Sequence, residues 1–223
     1  CVTIADRDAK RGAAVAAELP GARFKAVDIT QTSQIEELAA EMRDRAAAGG
    51  IHALVNSVGI FDERRTLLKT EIASLRRMME VNVFGAFQLT QILEPLLAPN
   101  ASVVHIGSVN GKRASAGLAA YKTSKAALNM MMRCIALELA ADPRRIRVNI
   151  VAPGWVDTPG ERQVWAQQGR PEFLDNADSV KGIPLGRRQT PEDIANMVSF
   201  VCSEQASNIA GQILYVDGGM SAP

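Results

Sequence analysis

Tyr121 and Lys125 stand four residues apart in the run Y-K-T-S-K-A, among small side chains. On a helix that interval is about one turn, so the phenol and the ammonium share a face. A free phenol titrates near pH ~10, too high for a good general base at neutrality, and an ammonium within several ångströms favours the phenolate. The pair alone reads better as surface decoration on a solvated helix. Ser108 shifts the balance. It lies thirteen residues before Tyr121, at the end of V-V-H-I-G-S, which reads as a strand. In open α/β sheets ligands bind beyond the carboxyl ends of strands. A hydroxyl there, followed by Asn110-Gly111 and a turn into the Tyr121 helix, can meet the phenol over one substrate.

The elements that must position these groups alternate along the chain. Residues 2–5, 23–27, 53–56, 102–107, 147–151 and 212–216 read as strands, several of them almost continuously apolar. Such runs are expected where helices cover both faces of a parallel sheet. Helical patterns occupy 9–18, 33–48, a long stretch 70–97, 119–140 and 191–202. Ser33-Gln34-Ile35-Glu36 fits a capping box, and Thr190-Pro191-Glu192-Asp193 offers an N-cap followed by proline at the first helical position. The alternation implies right-handed crossovers and an α/β, doubly wound Rossmann-like parallel sheet in a single domain, 1–223. One long irregular segment, 153–185, holds both tryptophans, Trp155 and Trp165, and reads as a substrate loop.

Composition narrows the classes of function. The 223 residues carry 25 Lys and Arg against 24 Asp and Glu, a net charge of +1, so nothing suggests nucleic acid or an anionic membrane surface. No apolar run approaches a membrane span of ~18 residues. Three scattered cysteines (Cys1, Cys134, Cys202) and two histidines make no metal cluster, and the cysteines read as reduced thiols of a cytoplasmic protein.

An ordered set of motifs then points to a family. Ser108, twelve residues, Tyr121, three more and Lys125 are accompanied by Asn56-Ser57-Val58-Gly59, Asn82 and Pro153-Gly154-Trp155-Val156-Asp157-Thr158-Pro159. Together these resemble the short-chain dehydrogenase/reductase family, and the resemblance runs from the first residue to V-D-G-G at 216–219. It implies a nicotinamide-dependent oxidoreductase acting on a secondary alcohol or ketone. Tyr121 would exchange a proton with the substrate oxygen. Lys125 would lower the tyrosine pKa and hold the nicotinamide ribose. Ser108 would hold the substrate oxygen, and Asn82 would anchor a relay water, although the same amide could satisfy a kinked helix backbone. The resemblance also implies a homodimer or homotetramer built on the helices bearing Asn82 and Tyr121.

For the cofactor, the resemblance implies NAD, with NADP as the alternative. Asp6 closes the first strand, where a carboxylate accepts from ribose hydroxyls and repels a 2′-phosphate. Arg7 follows and could grip a phosphate. Asp28 and Ile29 would contact adenine, and Asn56 and Gly59 would line the adenosine side. The family usually has N-N-A-G there, so Ser57 and Val58 depart from it. Val156 and Thr158 would meet the nicotinamide carboxamide, and Pro153 and Gly154 shape that turn.

The family's opening strand and glycine-rich turn have no counterpart in the chain. Roughly 25–30 residues are expected to be absent, counting ~20 from that turn to the acidic ribose residue and ~5–6 for a strand. That strand belongs between 2–5 and 53–56, so the 223 residues are expected to bind NAD poorly. The segment W-V-D-T-P-G-E-R, with I-P-L-G-R and T-P-E-D-I, resembles members acting on sugars or polyols, such as glucose 1-dehydrogenases. Related members reduce 3-oxoacyl thioesters or oxidise steroids. A non-catalytic dinucleotide sensor or scaffold with the same fold is the second reading. His105 falls in a buried strand and reads as a core histidine. Met78, Met79 and 130–132 read as packing.

Overall fold

The computed structural model describes residues 1–46, 49–61 and 64–222. Strand β1 (Thr3–Asp6) leads through helix α1 (Ala9–Glu18) to β2 (Arg23–Ala26), and the two strands pair in parallel. The helix starts where Asp8 accepts the Arg11 N–H at 3.0 Å, which satisfies one of the free donors of the first turn. Gly12 lets the helix lie flat on the sheet: a Cβ there would meet the Phe24 ring at 2.0 Å.

Helix α2 (Thr32–Ala46) precedes a second sheet of β3 (Ile51–Asn56), β4 (Leu97–Ile106), β5 (Arg147–Pro153) and β6 (Ile213–Val216), all parallel and in that order. Ser33 lies inside the first turn of α2 rather than before it, so it is not the N-cap expected of a Ser33–Glu36 capping box. Ala47 and Ala48, expected at this helix's end, lie outside the described residues. β1 pairs only with β2 and β3 only with β4 among the described residues.

Three apolar clusters hold the layers. On one face, Leu128, Met132 and Ala136 of α5 (Ala119–Ala141) pack on Val103, Val148 and Ile150. On the other, Val201 of α7 (Pro191–Cys202) packs on Val104 and Val151. Alternation along β4 and β5 feeds both, as a doubly covered sheet requires. A third cluster ties Val27, Ile29, Ile35 and Leu38 to Leu89 and Leu93, joining the two-stranded unit to the rest.

Two expected elements differ. The stretch 70–97 is not one helix: α3 (Ile72–Met79) passes through a π-helical turn, Glu80–Phe84, into α4 (Gly85–Leu93), and Pro95 falls in a short 3-10 turn, Glu94–Leu96. β4 therefore begins at Leu97, earlier than expected, with a register shift against β3 between Ile51 and Ala53 and Asn100 at positive φ. The segment 153–185 is mostly ordered into α6 (Pro159–Gln167) and the 3-10 turns Pro171–Asp175 and Ala177–Val180. Thr158 caps α6 by accepting the Glu161 N–H at 3.1 Å, with Pro159 in the first turn.

Candidate active site

The carboxyl ends of β3, β4 and β5 bring the expected residues to one corner. Ser108 follows β4, is buried, and accepts the Asn110 N–H at 3.1 Å, which fixes the turn toward α5. It faces the first turn of α5, where its hydroxyl acts on the Tyr121 phenol. Phe61 meets the Tyr121 ring edge-on, centroids 5.1 Å apart. One turn along α5, Lys125 places its ammonium 6.0 Å from the Tyr121 ring centre and donates to the Ile106 carbonyl at 2.9 Å.

Asn82 reaches this corner because the π-helical turn widens the helix at its position, a device that often marks functional sites. Its Oδ1 accepts the Ile60 N–H at 2.7 Å, and its Nδ2 donates to the Ile60 carbonyl at 3.0 Å and to Ser124 Oγ at 2.9 Å. The amide thus serves the backbone of the loop after β3 rather than its own helix. Ser124, to which the sequence reading assigned nothing, also donates to the Tyr121 carbonyl and so links Asn82 to α5. Gly59 permits the close approach: a Cβ there would lie 3.2 Å from Lys125 Nζ and 3.5 Å from Asn82 Oδ1.

The electrostatics correct one expectation. Lys125 was expected to lower the Tyr121 pKa. Instead burial pushes the phenol above 10, the Ser108 hydrogen bond opposes the rise, and the charge of Glu161 adds to it. Lys125 is itself taken from water, and burial lowers it to about 8. Desolvation of a charged form outweighs attraction across the ring face here.

The cofactor-side residues separate into two groups. Asp6 ends β1, its carboxylate accepting the Asp8 N–H at 2.8 Å. Asp28 accepts from the Thr30 N–H and hydroxyl, which hold its carboxyl below the usual range with help from Arg7. Arg7, Asp28, Thr30, Arg76, Arg77 and Glu80 line an open cleft of about 440 Å³. Arg76, Arg77 and Glu80 had no sequence signal beyond their charge. Other side chains turn inward. Ile29 is buried in the core against Gly85. Asn56 is buried, accepting the Val58 N–H at 3.1 Å and donating to His105 Nδ1 at 3.2 Å. His105 Nε2 faces Thr90 Oγ1 at 3.2 Å, and burial drops its pKa to about 3, so it is the neutral core histidine expected.

Beyond β5, Pro153 ends the strand, and a Cβ on Gly154 would meet Asp217 Cα at 2.8 Å. Val156 bridges to Gln189. Thr158 spends its oxygen on the α6 cap. The three cysteines are unbridged. Among the described residues no group of His, Cys, Asp or Glu is arranged to hold a metal, and no helix is long and apolar enough to cross a membrane.

Residues 1–221 match the family model described as enoyl-(acyl carrier protein) reductase. The chain belongs to the short-chain dehydrogenase/reductase superfamily. This short-chain dehydrogenase/reductase chain is 36% identical over 196 residues to a chloroplastic tropinone reductase homologue of Arabidopsis thaliana, covering 87% of this chain but only 58% of that protein. It is 33% identical over 196 residues to the 3-oxoacyl-(acyl-carrier-protein) reductase of Thermotoga maritima, 87% of this chain and 75% of that one. Among solved structures, a putative gluconate dehydrogenase from Agrobacterium tumefaciens superposes with TM-score 0.87 at 27% identity, covering 99% of this chain and 86% of that chain. The aldohexose dehydrogenase of Thermoplasma acidophilum superposes with TM-score 0.85 at 25% identity, covering 100% and 94%.

Proposed function

We propose that the chain is the working body of an oxidoreductase that moves a hydride between NAD(H) and a secondary alcohol or ketone, with a sugar or polyol the favoured substrate. The convergence of Ser108, at the carboxyl end of β4, with Tyr121 and Lys125 one turn apart on α5 carries the reading. When bound, the nicotinamide supplies or accepts the hydride. Ser108 holds the substrate oxygen and Tyr121 exchanges its proton. With its pKa raised, the phenol is protonated at neutral pH and is poised to donate to a carbonyl oxygen. Lys125 holds the ribose, and Asn82 keeps the Ile60 loop beside it. Val156, Thr158, Pro153 and Gly154 frame the nicotinamide side. Asp6, Asp28, Asn56 and Gly59 frame the adenosine side, Ile29 and Asn56 through their backbones.

The donor set fits a dinucleotide, since the cleft by Asp28 adjoins the end of β1 and Gly59 allows close passage beside Lys125. NAD is favoured by the carboxylate of Asp6. The guanidinium groups of Arg7, Arg76 and Arg77 around the cleft favour NADP as the second reading. A strand between β1 and β3, carrying a glycine-rich turn for the pyrophosphate, would complete the site. The edges of β1 and β3 left unpaired among the described residues and the exposed side chains His52, Ala53 and Val55 support it.

The chain is read as one cytoplasmic domain that assembles as a homodimer or homotetramer. Met130 and Leu137 on α5 and Phe84 and Phe87 near Asn82 are exposed and support the assembly, which sedimentation velocity reads directly. The activity is tested by following reduced nicotinamide over a panel of secondary alcohols. Tyr121→Phe is expected to lower kcat/KM by about 10²–10⁴ with an unchanged unfolding midpoint. Turnover within a few-fold of the unaltered protein sinks the mechanism.

A further inference from the structure

The segment after β5, read above as a substrate loop, carries a second polar centre. Glu161 sits on the first turn of α6, and its Oε1 accepts two indole N–H bonds, from Trp155 at 2.8 Å and Trp165 at 2.9 Å. Trp165 stacks on Phe173 with centroids 4.1 Å apart, and Trp155 tilts against both rings at 5.7 and 6.0 Å. Arg170 covers Trp165 and Phe173, at 5.3 and 4.2 Å from their centroids, but not Trp155.

The ion pairs nearby go elsewhere. Arg162 pairs with Asp157 and Asp175, and Arg188 pairs with Asp157. Among the described residues no cation pairs with Glu161, and none of its hydrogen bonds uses Oε2. A half-buried carboxylate is therefore held by one oxygen and open at the other, beside aromatic faces, in the first turn of α6 directly after the 153–158 turn that leaves β5.

We propose that Glu161, clamped by Trp155 and Trp165, is the specificity-determining acceptor of the substrate site and selects neutral polyhydroxylated molecules over anionic ones. The proposal rests on the oxidoreductase reading above and names its substrate class. A free carboxylate oxygen accepts a hydroxyl donor in a charge-assisted hydrogen bond, and an aromatic wall suits the apolar face of a sugar ring. The same charge opposes a substrate carboxylate in a partly desolvated site. Binding of a sugar acid of the kind named for the Agrobacterium neighbour is therefore disfavoured in this chain.

The chain's two tryptophans are both in this cluster, so intrinsic fluorescence reports on it without any turnover. The protein is titrated with neutral aldoses and alditols, their carboxylate counterparts and their amino counterparts, and the panel is repeated with Glu161→Gln. Saturable emission changes are expected with neutral compounds at affinities at least tenfold above the acids. Glu161→Gln is expected to weaken neutral binding about tenfold and to narrow the gap to the acids, with an unchanged unfolding midpoint. Equal or tighter binding of the acids overturns the proposal, as does tenfold preference for the amines, a flat response to every neutral compound, or a Glu161→Gln variant that binds them unchanged. Parallel turnover assays keep the two readings apart: selective binding without nicotinamide reduction sinks the oxidoreductase reading and leaves the subsite standing.

Discussion

At Lys125 the cost of burying a charge becomes a pH-dependent contribution to stability. Its pKa in the folded protein, about 8, lies below the ordinary 10.5. Between those values the unfolded chain binds more protons than the folded one, so the Lys125 contribution to stability rises with pH through that window. Below pH 8 both states are protonated and the full penalty of burying the ammonium is present. Lys125→Met is expected to be more stable than the unaltered protein near pH 7, by up to ~3 kcal/mol at ~1.4 kcal/mol per unit. The difference is expected to shrink by pH 10, as read from urea unfolding at both pH values. A constant difference across the window contradicts the burial account. The variant also loses the group proposed to hold the ribose, so its kcat/KM falls although its fold is firmer. This is the trade expected at a site that keeps a charge in a low-dielectric place.

Elements set these residues where they are, and close backbone approach sets the elements. Gly154 leaves β5 beside Asp217, whose carboxylate accepts the Gly219 and Ser221 N–H groups and so ties the end of the chain to the site. A Cβ on Gly154 would meet Asp217 Cα at 2.8 Å and Gln189 Oε1 at 2.5 Å, and main-chain atoms cannot swing aside as a side chain can. Gly154→Ala is expected to cost about 1–3 kcal/mol in chemical denaturation, the range for overpacking. A neutral substitution there shows that the turn has slack. Local signals made several elements legible: Thr190-Pro191 announced α7 and its capping box. Thr158-Pro159 is the same signal for α6, yet the surrounding prolines, glycines and tryptophans made the segment read as irregular. The interruption at Glu80–Phe84 left no such mark: it accompanies the hydrogen bonds of Asn82 to Ile60, 22 residues away in sequence.

At the scale of the molecule, the sheet is built in two parts that share a core but, among the described residues, no strand pairing. β1 and β3 each carry one unpaired edge among the described residues, and backbone polar groups along such edges need partners. The proposed dinucleotide site spans both parts: Asp6 and Asp28 belong to the two-stranded unit, and Ser108, Tyr121 and Lys125 to the four-stranded one. Calorimetry of the 223-residue chain with NAD is expected to show no micromolar binding, and addition of the bridging strand and its turn is expected to restore it. Micromolar binding by the 223 residues alone contradicts the proposed bridge.

The order and spacing of Asn82, Ser108, Tyr121 and Lys125, the strand–helix alternation and the proline-marked helix start at Thr190 follow from near neighbours along the chain. Alternation, caps and fixed backbone angles act over a few residues, so residue types reveal them directly. The rest depended on which segments lie against one another. Packing α5 over β4 and β5 left the phenol half-buried and the ammonium buried beside it, and turned the expected fall in the Tyr121 pKa into a rise. It also turned Asn56 inward to His105 and let the charge of Glu161 act on the Tyr121 phenol, forty residues away. Desolvation depends on what surrounds a group in three dimensions, and distance along the chain carries no measure of that.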